Sequence, residues 1–138
     1  MLIRNTPVLA CVLTALLGVG GTLVAHNEET VRKLFVGKLA NVPGQTLTAE
    51  VVNYRAGGKS SIHHHAGSVF AYVLTGSIRS QNSATGAARV YKAGETFFEP
   101  AGSDHLVSEN ASPSEPASLL AIHIAADGAV LTKPGNAK

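Results

Sequence analysis

From Thr46 to Ala125 the chain runs in short alternating or apolar stretches broken by turn residues, and no apolar set recurs with a helical period. A period of two sends one set of side chains to a buried face and the other outward, so this span reads as β-structure. Strands are predicted over 46–54, 60–65, 68–74, 77–81, 89–92, 96–99, 105–109 and 117–125. The breaks between them are "AGG" at 56–58, "NSATG" at 82–86, "PAGSD" at 100–104 and "NASPSEP" at 110–116, all rich in residues that suit tight reversals. The stretch "TVRKLFVGKLA" at 30–40 is compatible with a helical turn or an edge strand, and the tail "KPGNAK" reads as a mobile end. The expected class is all-β: a small antiparallel barrel or sandwich, closed to protect its edges.

With 138 residues, 45% hydrophobic and 14% charged, the chain can build one domain with a core of its own. Its formal charge of +2 comes from 11 basic and 9 acidic residues scattered along the sequence. No basic stripe results, so nucleic acid is not an expected partner. No phosphate loop, nucleophile elbow or paired-cysteine site is found either.

The first 25 residues differ from the rest. Arg4 supplies a positive start, Val8 to Val24 carry no charge, and Ala25 precedes the polar "HNEET". This is the pattern of a signal peptide over 1–25, with cleavage after Ala25 and an exported, periplasmic or secreted product. Left uncleaved, the apolar run of about 17 residues is barely long enough to anchor the chain in a membrane. Cys11, the single cysteine, lies inside this segment. The mature domain would hold no disulfide, and its stability must come from packing.

"SIHHHAGSVFAYVLTG" at 61–76 places three of the six histidines at the start of a strand. Residues i and i+2 of a strand share a face, about 6.6–6.8 Å apart, so His63 and His65 project together and His64 points away. Such a cluster alone is more often solvated or hydrogen-bonded than ligating. A third ligand is needed, and His105 is the candidate, because Pro100 and Gly102 form a turn that aims it inward.

The two stretches match a pair of motifs. Gly57, five residues, His63, one residue, His65 and then Gly76 form the first; Gly94, five residues, Pro100, one residue, Gly102, two residues and His105 form the second. In this the sequence resembles the cupin superfamily over about residues 44–126. The resemblance implies a small antiparallel β-barrel of jelly-roll type in which His63, His65 and His105 hold a divalent metal. Two positions depart from the pattern: the glutamate that normally follows the second histidine of the first motif is replaced by Val69, and the later asparagine by Glu109, with Asn110 beside it. The domain plan is then a signal peptide at 1–25, an arm at 26–43, the barrel at 44–126 and a tail at 127–138.

A missing carboxylate invites a substitute. Glu109 lies about 13 Å along the strand from His105, too far to share its metal. Glu99 is better placed if the Pro-Ala-Gly turn folds its strand back beside His105, although a glutamate there ordinarily faces solvent. His123, in "LLAIHIAA", alternates with aliphatic neighbours and can face either way. Phe70, Tyr72, Phe97 and Phe98 are read as core or pocket wall, and Arg79 and Gln81 as residues able to reach a ligand's polar end.

Three neutral imidazoles leave the full charge on a bound ion and keep positions open for oxygen donors. They do not distinguish iron, zinc, manganese, nickel or copper. The expected function is an exported metal-binding protein, in one form a three-histidine dioxygenase-like enzyme for a small chelating acid, enol or phenol. The alternative is a non-catalytic module that binds or senses a small molecule. A homodimer is expected, with barrels paired through an edge sheet and 30–42 crossing to the partner.

Overall fold

A computed structural model describes residues 28–135, so the expected signal peptide lies outside the described residues. Ten strands follow in order: β1 (Glu29–Lys38), β2 (Gln45–Tyr54), β3 (His63–His65), β4 (Ser68–Thr75), β5 (Ser77–Asn82), β6 (Arg89–Lys92), β7 (Thr96–Glu99), β8 (Asp104–Asn110), β9 (Ala117–Ala126) and β10 (Thr132–Pro134). Segment 30–40 is therefore an edge strand, paired antiparallel with β2. Part of the tail expected to be mobile is also ordered, since Thr132, Lys133 and Pro134 pair with His65, His64 and His63.

The expectation of one closed barrel is corrected. The ladders form two five-stranded sheets, β1-β2-β9-β4-β7 and β10-β3-β8-β5-β6, and among the described residues no ladder joins an edge of one to an edge of the other. Closure is not required to protect these edges. β7 and β10 are short, and β1, β6 and β10 carry Arg32, Lys33, Lys38, Arg89, Lys92 and Lys133, devices that discourage further pairing.

The two sheets meet through their inward-facing residues. Along β4 the buried set is Val69, Ala71 and Val73; along β9 it includes Ala117, Leu119 and Ala121. With Tyr54, Phe97 and Ile78 of β5 they make one apolar cluster. Full burial of a side chain such as Ile78, wholly shielded from solvent, contributes about 1.5–3 kcal/mol. Gly76 lets the chain leave the first sheet at β4 and enter the second at β5. Its φ is 67°, and a Cβ there would stand 2.8 Å from the Pro116 carbonyl oxygen and 2.9 Å from Ala117 Cβ.

The same parity corrects the reading of three aromatics. Phe70, Tyr72 and Phe98 are 43%, 38% and 52% exposed, on the outer face of the first sheet. Because Val69, Ala71 and Phe97 occupy the inward positions of β4 and β7, their immediate neighbours must point out. Phe97 alone of the four is core.

Candidate metal centre

Between the sheets lies a cavity of about 330 Å³, with Val69, Ala71, Phe97 and Leu119 in its apolar wall and His63, His65, Glu99, His105 and His123 in its polar part. Three features of the fold bring the histidines together. His63 lies opposite His105 in the antiparallel β3–β8 ladder, so both side chains share the inner face. His65 follows two residues after His63 and shares it too, whereas His64 pairs with Asp104 and Lys133 and is absent from the cavity lining. The turn before β8 is fixed by Gly102, whose φ of 77° suits a residue without Cβ, and by Ser103 N–H donating to the Pro100 carbonyl at 3.2 Å.

One ring nitrogen from each of His63, His65 and His105 lies within 4.8 Å of the others. Ring centroids are 4.8 Å apart for His63 and His65 and 5.0 Å for His63 and His105. Each ring is also tied at its other nitrogen. His63 Nδ1 lies 2.7 Å from the Ser61 carbonyl, His65 Nδ1 lies 3.3 Å from the Leu131 carbonyl and 3.2 Å from Thr132 Oγ1, and His105 Nε2 lies 2.9 Å from Ser80 Oγ. A carbonyl can only accept, so His63 and His65 carry their protons on Nδ1 and keep Nε2 as a free donor atom. That is how metal-binding imidazoles are held in one tautomer and orientation.

Electrostatics supports the same state. Burial holds His105 down at about 3 and His65 down at about 4, with neighbouring imidazoles lowering both further. At neutral pH both rings are therefore uncharged, the form that ligates. His105 Nδ1 is the one buried side-chain polar atom among the described residues with no hydrogen-bond partner. The donor set and this orphaned nitrogen fit a divalent transition metal, and the three histidines are close enough together to hold one ion.

Glu99 is in this cluster, contrary to the expectation that it faces solvent. It is 3% exposed, and its Oε2 stands 3.1 Å from His105 Nδ1 and 3.8 Å from His65 Nε2. Burial raises its carboxyl to about 7, with a hydrogen bond from Asn82 acting in the opposite direction. The turn at 100–102 does not explain this placement; β7 lies in the other sheet and Glu99 reaches across the interior. His123 also faces in, 3% exposed, with its ring centroid 5.0 Å from that of His65 and its Nε2 3.5 Å from Glu50 Oε2.

Other candidates lie elsewhere. Arg79 and Glu109 sit opposite one another on β5 and β8 and form a 2.6 Å ion pair, and Gln81 donates to the Gly86 carbonyl. Glu50 was missed in the sequence, where its only signal is an inward parity shared with Thr48, Val52 and Tyr54. A second polar group was missed as well: Tyr54 Oη lies 2.8 Å from both Ser60 Oγ and Ser108 Oγ, with Ser60 donating to Glu29.

Solved structures with a similar fold perform different chemistry. They include the DMSP lyase DddQ from Ruegeria pomeroyi DSS-3, at 22% identity and a TM-score of 0.54, covering 64% of this chain and 42% of that one. An oxalate oxidase in complex with the substrate analogue glycolate matches at 23% identity and a TM-score of 0.55, covering 80% of this chain and 58% of that one. The polyketide cyclase RemF from Streptomyces resistomycificus matches at 20% identity and a TM-score of 0.59, covering 80% and 73%. The chain thus spans less than two thirds of the lyase and of the oxidase. No curated protein matches the sequence. The model of the cupin domain matches residues 50–123, more than half of the chain and the whole stretch from Glu50 through the three clustered histidines to His123. This chain belongs to the cupin domain family.

Proposed function

We propose that the protein is an exported, metal-dependent oxidoreductase of dioxygenase-like type, acting on a small oxygen-rich molecule held inside a jelly-roll sandwich. The observation that carries this reading is the convergence of three imidazoles, each tied at one nitrogen by the protein and free at the other. His63, His65 and His105 would hold the ion, which could be iron, zinc, manganese, nickel or copper by donor type. When bound, it supplies Lewis acidity and, if redox-active, electron exchange with dioxygen.

The chain's own residues supply the rest. Val69, Ala71, Phe97 and Leu119 keep bulk water from the inner wall and favour a compact, partly apolar substrate. His123 lines the cavity beside His65, with its Nε2 3.5 Å from Glu50 Oε2, and is the group placed to take a proton from an acidic substrate. The likeness to an oxalate oxidase with bound glycolate supports a small chelating acid among the candidates.

Export rests on Arg4, the uncharged run from Val8 to Val24 and Ala25. A homodimer rests on the exposed aromatics of the first sheet: Phe70 lies opposite both Phe98 and Ile122, so they form one apolar patch. The functional test is oxygen consumption by the iron-loaded, untagged domain with diketones, thiols, flavonols and catechols. Turnover abolished by His63→Ala supports the enzyme. Saturable ligand binding without turnover under every metal tested would replace it with the binding module.

A further inference from the structure

The geometry points to Glu99 as the carboxylate ligand of this metal centre, supplied from β7 in place of the motif residue that Val69 has replaced on β4. The inference rests on the three-histidine reading and extends it to a fourth donor. Its basis is register. Val69 and Glu99 are direct partners in the antiparallel β4–β7 ladder, and both are buried on the inner face. Moving a carboxylate from one strand to its neighbour displaces the backbone by about 4.7–4.9 Å, a gap that a glutamate side chain can span.

The distance to His105 falls within coordination geometry and that to His65 slightly beyond it. Two donors bound to one ion at about 2.0–2.2 Å, with angles between octahedral and tetrahedral, stand roughly 3.0–3.5 Å apart. Glu99 Oε2 is 3.1 Å from His105 Nδ1 and 3.8 Å from His65 Nε2. One oxygen thus faces two ring nitrogens, one of them the orphaned His105 Nδ1. The remaining surroundings do not account for a buried carboxylate. Its one hydrogen bond comes from Asn82 Nδ2 at 3.4 Å, and neither Lys nor Arg pairs with it among the described residues. An ionised carboxylate buried with so little compensation is costly, and a cation shared with the three imidazoles would offset that cost.

The test uses cobalt(II) alone as the probe, on untagged protein, read by titration calorimetry and by the visible absorption of the bound ion. Glu99→Gln keeps the side-chain shape and an acceptor for Asn82, so folding is retained and can be checked by circular dichroism. The expected result is binding weakened by at least about tenfold with a shifted cobalt band. Relative to Glu99→Ala, the double variant Val69→Glu/Glu99→Ala should regain affinity, a recovery that a packing role for Glu99 does not produce. If Glu99→Gln binds cobalt as the unaltered protein does, with the same band, while His105→Ala binds none, Glu99 is not a ligand and the three-histidine site stands. If the unaltered protein takes up no cobalt, the three-histidine reading itself fails.

Discussion

His63 and His105 face one another across the β3–β8 ladder, residues 42 positions apart in sequence brought side by side by one antiparallel register. The consequence is specific to parity. His63→Ala should weaken zinc binding by at least about tenfold, and His64→Ala, one residue away but directed from the cavity, should leave it unchanged. Calorimetry on the two variants checks this; equal losses would mean that the face assignment is wrong.

Gly76 carries the turn between the sheets under two constraints at once, a φ of 67° and a Pro116 oxygen 2.8 Å from where a Cβ would sit. Gly76→Ala should cost about 1–3 kcal/mol. Denaturant unfolding at constant m-value measures it. Gly86, with φ 94° but nothing within 4 Å of its added Cβ, should lose less on the same substitution.

Acid should destabilise the metal-free protein. In the unfolded chain a histidine titrates near 6.5, but burial holds folded His65 at about 4 and His105 at about 3. Between those values the unfolded state binds more protons, so stability contributed by these groups rises with pH from about 3 to about 6.5 and is lost on acidification. Glu99 has the opposite sign: its folded value is raised from 4.5 to about 7, so the folded state binds more protons in that window and stability falls as pH rises through it. Two histidines outweigh one carboxylate below pH 6.5. Calorimetric melting of chelator-treated protein should show Tm falling by several degrees from pH 6 to pH 4, and Glu99→Gln should remove the shallower decline toward pH 7. A flat profile from pH 4 to 6.5 would contradict these assignments.

Much of this was legible beforehand. Alternation placed most strands within a residue or two of their observed bounds, and β6 and β7 at both ends. The spacing of Gly57, His63, His65, Gly102 and His105 was equally informative, because close-range turns and i, i+2 parity are local properties. Glu99 was not legible as part of the site. Its position depends on β7 pairing with β4 in the sheet opposite the histidines, a long-range relation absent from local pattern. Phe70, Tyr72 and Phe98 misled through size: a large aromatic suggests core, but on β4 and β7 the inward places belong to Val69, Ala71 and Phe97. β10 was hidden because "KPG" reads as chain-end composition, and only the exposed edge of β3 gives Thr132 to Pro134 something to pair with.

The outward aromatics yield a separate expectation. Phe70→Lys places a charge in the Phe70–Phe98–Ile122 patch without touching the core. On the proposed dimer, light scattering at tens of micromolar should show a shift from dimer to monomer. An unaltered protein that is already monomeric there would reject the dimer.

The central claim is that three imidazoles hold one metal ion. Elemental analysis of untagged protein, after reconstitution and removal of excess metal, tests it most directly. The account predicts occupancy approaching one ion per chain for the unaltered protein and near zero for His105→Ala. Substoichiometric metal that does not rise on reconstitution, or occupancy unchanged by His105→Ala, would contradict it.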